Sequence, residues 1–334
     1  MDVVKQHLQG LVYGPSTHSG HLGVVPLLAR EGIASPPFYD TLKDAIGAGT
    51  ARVTEISEGG SVPELLVVND GPRPVLLVDG EELVGARQNR IVNITLLVPA
   101  HGKLHIPVSC VEAGRWSYRS REFTSADRAF HASGRRDKMA QVNLSMRTNA
   151  SRSADQGAVW DEIASKSARL DAASSTRAAA AMFERRHADL ERYVADLTPV
   201  QSQVGAVFVA RGRVTGVEVF DHPQSWARQM PMLVRSYGLD ALDDALHETL
   251  DGAAQGLAAA EFVGRIGLEG AHMLAAIGLG TDVRFADGGV VGGALVVERA
   301  LVHLVAFPTG LGARPSSRGE RQSRRAHGRD ERVH

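Results

Sequence analysis

Cysteine is almost absent from this chain: Cys110 is the only one. A single cysteine excludes an internal disulfide framework and any CxxC metal knuckle. Aromatic residues are scarce at 5%, which argues against a platform for stacking nucleic-acid bases. Neither charge sign dominates, the net charge being -1 over 334 residues, so no specific nucleic-acid partner is indicated. No apolar run reaches the ~18 residues of a membrane helix, and no membrane partner is expected. The opening MDVVKQHLQGLVYG lacks the apolar core of a signal peptide, so the expectation is a soluble, cytoplasmic protein. There is no GxxxxGK[ST] loop, no GxGxxG after a strand and no GxSxG elbow. His247-Glu248 is followed by Thr249-Leu250-Asp251, so an HExxH zinc motif fails at its second histidine. The pairs His18/His21 and His101/His105 lack further ligands at metal spacing. No metal is expected, and no cofactor is identified.

What is present is an ordinary globular balance, 43% hydrophobic and 22% charged, organised around the stretch from Asp79 to Trp116. Arg90, Val92, Ile94, Leu96 and Val98 alternate with Ile91, Asn93, Thr95 and Leu97. After Pro99-Ala100-His101-Gly102, Leu104, Ile106, Val108, Cys110 and Glu112 alternate with His105, Pro107, Ser109 and Val111. Period two with β-branched enrichment predicts two strands, and the Pro/Gly break predicts a hairpin. A turn centred near His101 places Val98 opposite Leu104, Ile94 opposite Val108, Val92 opposite Cys110 and Arg90 opposite Glu112, all on one face. Charge on the buried side of a sheet is costly unless paired, so this end of the hairpin is the candidate site.

Around it, residues 1–12 begin with a short helix, Ser16–Leu28 ends in a strand, and Phe38–Gly49 reads as a helix closed by glycine. ARVTEI, ELLVVN and PVLLVDGEEL are strands separated by turn residues. Ser117–Lys138 is polar and basic, with the pattern of a solvated linker, although its arginines beside the candidate site suit phosphate. Residues 155–196 are helical. Two more hairpins are predicted, at 204–220 and 289–307. A helical section begins at Trp226, with Pro231 starting a new helix, and residues 252–276 read as helix and loop. His303 shares a strand face with Leu301, Val305 and Phe307, where a satisfied core histidine is the commoner meaning. The tail carries seven arginines and three acids between Ala313 and His334 and little to bury. The expectation is therefore one α+β domain over residues 1–310. Its antiparallel β-rich core should be sandwich- or jelly-roll-like and shared by the three hairpins. A helical insertion should lie over about 125–200, and a disordered basic tail over 311–334.

DGEELVGARQNR (79–90) followed by CVEAGRW (110–116) resembles the core signature of the ARG-and-rhodanese-phosphatase-associated protein domain, a prokaryote-dominated family without an established reaction. VGAVFVARGRVTGVEVFD, RSYGLDAL and GGALVVERALVHLVAF extend the resemblance over roughly residues 10 to 307. The family name records gene neighbours, ADP-ribosylglycohydrolases and rhodanese-phosphatase proteins. The resemblance therefore implies a role around NAD-derived or ADP-ribosylated compounds, and association with proteins that process them. It supplies no catalytic residue.

Three readings of the site stay open. In the first, Glu112 or Glu82 is the general base of an enzyme acting on an NAD-derived nucleotide. Gln88, Arg90 and Arg115 then hold polar and phosphate groups, and Trp116 stacks on a ring. In the second, the same residues only recognise the nucleotide, as in a sensor. In the third, Arg90–Glu112 is a structural pair that locks the hairpin register. Glu81, Cys110 and His303 are further site candidates. Cys110 sits between apolar positions, where a small buried residue is commoner than a nucleophile.

Overall fold

The computed structural model describes residues 2–30, 35–57, 63–243 and 252–310. The basic tail lies outside the described residues. The chain opens with helix α1 (Asp2–Gln9), strands β1 (Leu11–Tyr13), β2 (Thr17–Ser19), β3 (Leu22–Ala29) and β4 (Asp40–Thr41), and helix α2 (Leu42–Gly47). Strands β5 (Ala51–Glu55), β6 (Glu64–Asn69), β7 (Val75–Leu77), β8 (Glu81–Gly85), β9 (Arg90–Val92), β10 (Leu96–Val98), β11 (Lys103–Cys110) and β12 (Glu122–Ala129) follow. Next come helices α3 (Ala132–Asn149), α4 (Gln156–Arg169), α5 (Ala180–Arg185) and α6 (His187–Asp196). The remainder is β13 (Gln203–Ala210), β14 (Arg213–Phe220), α7 (Pro223–Leu242), α8 (Gly252–Gly264), β15 (His272–Ala275), β16 (Thr281–Asp287), β17 (Val290–Val297) and β18 (Ala300–Pro308).

The strands form an antiparallel, β-rich core within an α+β fold. The core has two bodies. One is a closed barrel in the order β11-β6-β5-β12-β8-β9; the other is a nine-stranded sheet running β1-β3-β13-β14-β18-β17-β16-β15, with β2 on β3. A small sheet β10-β7-β4 contains a parallel pair, β4 with β7. The hairpins β13–β14 and β17–β18 lie together in the large sheet, whereas the 89–112 segment lies in the barrel. The hairpins therefore lie in two sheets, yet Ile91 and Leu97, Ala206 and Phe208, and Val291 and Val305 pack into one apolar cluster, so all three share a core; a barrel plus a sheet stands where a sandwich was expected.

The sheet is covered on both faces, which explains why β13 is buried at every position. Alanine, phenylalanine and valine on one face pack against Trp226, Leu233 and Tyr237 of α7. Val207, Val217, Val219 and Leu304 on the other pack against α1 and α8. Strands covered on both faces lose the alternation of half-buried ones and read as continuous apolar runs. Each such side chain contributes roughly 1.5–3 kcal/mol. Helix α7 runs unbroken through Pro231, so no new helix starts there. Proline removes one intrahelical bond, but Trp226, Met230, Leu233, Val234 and Tyr237 are buried on the same helix and hold it in one piece.

The basic segment 117–138 is also not a linker. It forms β12 of the barrel and the first turns of α3, and Arg135 and Lys138 are fully buried. Residues 252–276 are not only helix and loop, because β15 adds a strand to the sheet. Among the described residues no helix is long and apolar enough to cross a membrane.

Candidate functional site

The register of the central segment differs from expectation. β9 pairs with β11 as Val92↔Val108, Ile91↔Ser109 and Arg90↔Cys110. β10 leaves the barrel to pair with β7, Val98 facing Val75 and not Leu104. Val92 therefore does not face Cys110, Ile94 does not face Val108, and Arg90 does not face Glu112. The shift is two residues, so every side chain keeps its face while changing its partner. Beyond Cys110 the chain pairs with the segment before α5, through a bridge between Glu112 and Ala178. Gly114 is required there: its N–H donates to Thr176 O at 2.8 Å, and a Cβ would stand 2.8 Å from Thr176 Cα.

Cross-strand partners share a face, so the pairings define the barrel interior. Leu83 faces Arg90, Cys110 faces Arg90, Leu65 faces Glu55, and Val53 faces Val67 and Phe123. Arg90, Glu55 and Cys110 therefore point inward among Val53, Leu65, Leu83 and Phe123. They sit where β5, β8 and β11 end and β6, β9 and β12 begin, at one mouth of the barrel. An open cleft of about 810 Å³ lies at this mouth, lined by Glu55, Ser57, Arg87, Tyr118, Arg119 and Arg121 among others. Trp116 and Tyr118 are about half exposed on its rim. The Arg87 guanidinium stacks 4.4 Å from the Tyr118 ring and 5.6 Å from that of Trp116, and Arg90 lies 5.8 Å from the latter.

Arg90 is completely buried. Its Nη1 donates to Gln88 Oε1 at 3.0 Å and to Gln88 O at 3.3 Å, while Nε and Nη2 have no hydrogen-bond partner. Glu55 is in a like state: Oε1 accepts the Arg87 N–H at 3.4 Å and buried Oε2 accepts nothing.

Glu112, Arg115 and Glu82 join the site through Asn89. Arg115 donates to Glu112 Oε2 through Nε at 2.8 Å, and its Nη2 lies 2.7 Å from the same oxygen. It also donates to Asn89 Oδ1 at 3.1 Å and to the carbonyls of Gly85, Ala86 and Ser117. Asn89 Nδ2 in turn donates to Glu82 Oε1 at 3.2 Å, and Arg128 grips Glu82 with Nε at 2.6 Å and Nη2 at 3.1 Å. The second oxygen of Glu112 accepts from Thr176 Oγ1 at 2.9 Å. Burial pushes the Glu112 carboxyl up, but the Arg115 and Thr176 hydrogen bonds outweigh it and hold the group below its ordinary range. A buried carboxylate with both oxygens occupied is a poor general base. Of the residues singled out in sequence, Glu82, Gln88, Arg90, Glu112 and Arg115 converge but are buried; only Trp116 is open to solvent.

Cys110 is buried, with its backbone pairing the Gln156 side-chain amide at 2.7 and 2.8 Å. Burial pushes its thiol up to about 11, away from thiolate reactivity. Glu81 is buried without a cation. Burial pushes its carboxyl up to about 7, against hydrogen bonds from Ser125 Oγ and the Val78 N–H. A carboxyl raised in the folded state contributes stability that is complete below about 4.5 and is lost as pH climbs through about 7. Glu81→Gln is therefore expected to gain on the wild type over that window, by up to ~3 kcal/mol. Chemical denaturation at pH 4.5 and pH 8 checks this; an equal difference at both pH values refutes it.

His303 belongs to a separate, closed cluster. Its Nε2 lies 2.8 Å from Glu218 Oε2 and its Nδ1 2.8 Å from Thr95 Oγ1. Since Glu218 only accepts, Nε2 donates to it, and Thr95 Oγ1, in contact with Nδ1, accepts the Asp79 N–H at 3.0 Å. Arg135 bridges Glu218 and Asp79 at 2.7 and 3.1 Å, and Lys138 donates to Asp79 at 2.6 Å. All are buried, the charged members and His303 at most 1% exposed, so the cluster joins barrel to sheet rather than facing a ligand. Among the described residues no group of three His, Cys, Asp or Glu side chains is placed to share a metal ion.

A small antiparallel barrel whose mouth holds an unsatisfied arginine beneath exposed aromatics has the form of a ligand-binding site. Over residues 10–307 the sequence matches the family described as ARG and Rhodanese-Phosphatase-superfamily-associated Protein domain. The chain belongs to that family. No curated protein and no solved structure matches it. Sequence reasoning missed Asn89, which links Glu82 to Arg115, Arg87 and Tyr118 of the cleft, and Glu55. Glu55 was readable: it alternates with Ala51 and Val53 and so puts a carboxylate on the apolar face of its strand.

Proposed function

We propose that the barrel mouth binds an ADP-ribose-type nucleotide, and that the protein is a nucleotide-binding partner of ADP-ribose-processing proteins in the cytoplasm. The observation that carries this reading is Arg90: a guanidinium wholly buried in the barrel, with Nε and Nη2 unpartnered. A buried donor without an acceptor is costly, and a phosphate oxygen is the acceptor that two adjacent guanidinium N–H groups fit. Arg119 and Arg121 line the adjoining cleft, where a second phosphate fits, and Trp116 and Tyr118 offer faces to a ring. Recognition is favoured over turnover because Glu112 and Glu82 are saturated by their own cations and amides.

Calorimetric titration with ADP-ribose and with NAD tests the reading, and affinity should fall as salt rises. Arg90→Met is expected to weaken binding at least ~10-fold, about 1.4 kcal/mol. The same variant takes away the cation near Glu55, so a modest loss of stability should accompany the loss of affinity. A loss of stability with unchanged affinity makes Arg90 a structural residue. Failure of both nucleotides to bind well-folded protein at millimolar concentration ends the nucleotide reading.

A further inference from the structure

Four buried carboxylates around the barrel meet their cations closely: Asp79 and Lys138 at 2.6 Å, Glu82 and Arg128 at 2.6 Å, Glu112 and Arg115 at 2.7 Å, Glu218 and Arg135 at 2.7 Å; Glu81 has no cation but both its oxygens accept hydrogen bonds, from Ser125 and Val78. Glu55 and Arg90 break this pattern. They point into the same barrel mouth and feel each other's charge, yet each leaves polar atoms unpartnered: Glu55 Oε2, and Arg90 Nε and Nη2. Polar atoms left without partners at a partly buried site are costly, and a group that both side chains can bond removes the cost.

We propose that Glu55 and Arg90 together select a ligand fragment in which a phosphate stands beside a free hydroxyl, as in a phosphorylated ribose, with Glu55 the specificity-determining residue. The inference rests on the nucleotide reading of this mouth and deepens it. A guanidinium only donates and a carboxylate only accepts. A bare anion satisfies Arg90 but is repelled by Glu55; a bare cation has the converse difficulty. The occupant that satisfies both offers an anionic acceptor to Arg90 and, a few bonds away, an O–H donor to Glu55. Trp116, half exposed over Arg90, provides an apolar face for a sugar ring. Glu55 lines the open cleft, so the hydroxyl side of the fragment faces the entrance and the phosphate lies deeper.

The full chain is titrated calorimetrically with ribose 5-phosphate, methyl phosphate and ADP-ribose, as wild type, Glu55→Gln and Arg90→Met. Wild type should prefer ribose 5-phosphate over methyl phosphate by about 10-fold or more, since a hydrogen bond to a charged acceptor is among the stronger ones. In Glu55→Gln that preference should shrink to about 3-fold or less, with methyl phosphate binding more tightly than to wild type because the repelling charge is gone. Arg90→Met should weaken both phosphates. The thermal midpoint of Glu55→Gln, which leaves Arg90 without the nearby carboxylate, is measured alongside so that the preference is read on folded protein. An unchanged preference in Glu55→Gln, or equal binding of the two phosphates by wild type, overturns the inference. Should ADP-ribose bind while ribose 5-phosphate does not, the inference falls and the nucleotide reading stands. If neither binds to folded protein, both fall.

Discussion

Glu218→Gln is expected to destabilise the protein by about 3–5 kcal/mol, the cost of breaking a buried ion pair from one side. One carboxylate oxygen accepts from Arg135 at 2.7 Å and Tyr237 at 3.0 Å, and the other from the His303 ring at 2.8 Å. An amide supplies only one acceptor oxygen, so its NH2 must face another donor. The charge balance fails as well: Asp79 and Glu218 offset Arg135 and Lys138, and the substitution leaves one uncompensated cation at a buried site. The Lys138 ammonium is already strained, burial holding it down at about 8 despite Asp79 beside it. For a chain of this length the loss corresponds to a drop in Tm on the order of 6 °C. Equilibrium denaturation measures it. Replacing Arg135 by Met in the same chain should recover part of the loss, because no stranded charge remains. A single-variant loss under about 1 kcal/mol would show that the cluster does not tie barrel to sheet.

That cluster also shows where sequence reasoning reaches its limit. The 204–220 and 289–307 hairpins were legible because partners are close in sequence and the turns declare themselves: Arg211 and Gly212, and then Glu298, adopt the left-handed conformation of a tight turn. The faces of the 89–112 segment were legible too, since alternation encodes which side a residue takes. It does not encode which strand lies alongside, and a slip of two residues leaves the pattern unchanged. Arg90 was therefore rightly placed on an apolar face and wrongly paired with Glu112. The basic segment after Trp116 was unreadable for a different reason. Its acids lie far along the chain, Arg128 reaching Glu82 across 46 positions and Arg135 reaching Glu218 across 83. Local composition then looks like a solvated charge run, when Arg128, Arg135 and Lys138 are matched by acids inside the fold.

The same distinction between matched and unmatched charge sets the expected behaviour of the two arginines that flank Trp116 and Tyr118. Arg115 is 6% exposed and donates to Glu112, Asn89 and three carbonyl oxygens. It ties the 85–89 turn to the 112–117 turn, and so fixes where Trp116 stands over Arg90. Arg115→Lys should cost about 3 kcal/mol or more despite keeping the charge, because an ammonium has three donors and no planar fork. Glu112→Gln should cost a similar amount, leaving Arg115 buried against a neutral partner. Both should also weaken nucleotide binding through the displaced rim. Arg119, whose side chain is 58% exposed and only 3.8 Å from Glu112, should behave oppositely: Arg119→Ala leaves stability within ~0.5 kcal/mol and lowers both the affinity for ADP-ribose and its salt dependence. Denaturation and titration of the three variants side by side make the comparison. Arg115→Lys with wild-type stability and impaired binding would return Arg115 to the role of a direct phosphate ligand, and the rim would have to be held by other contacts.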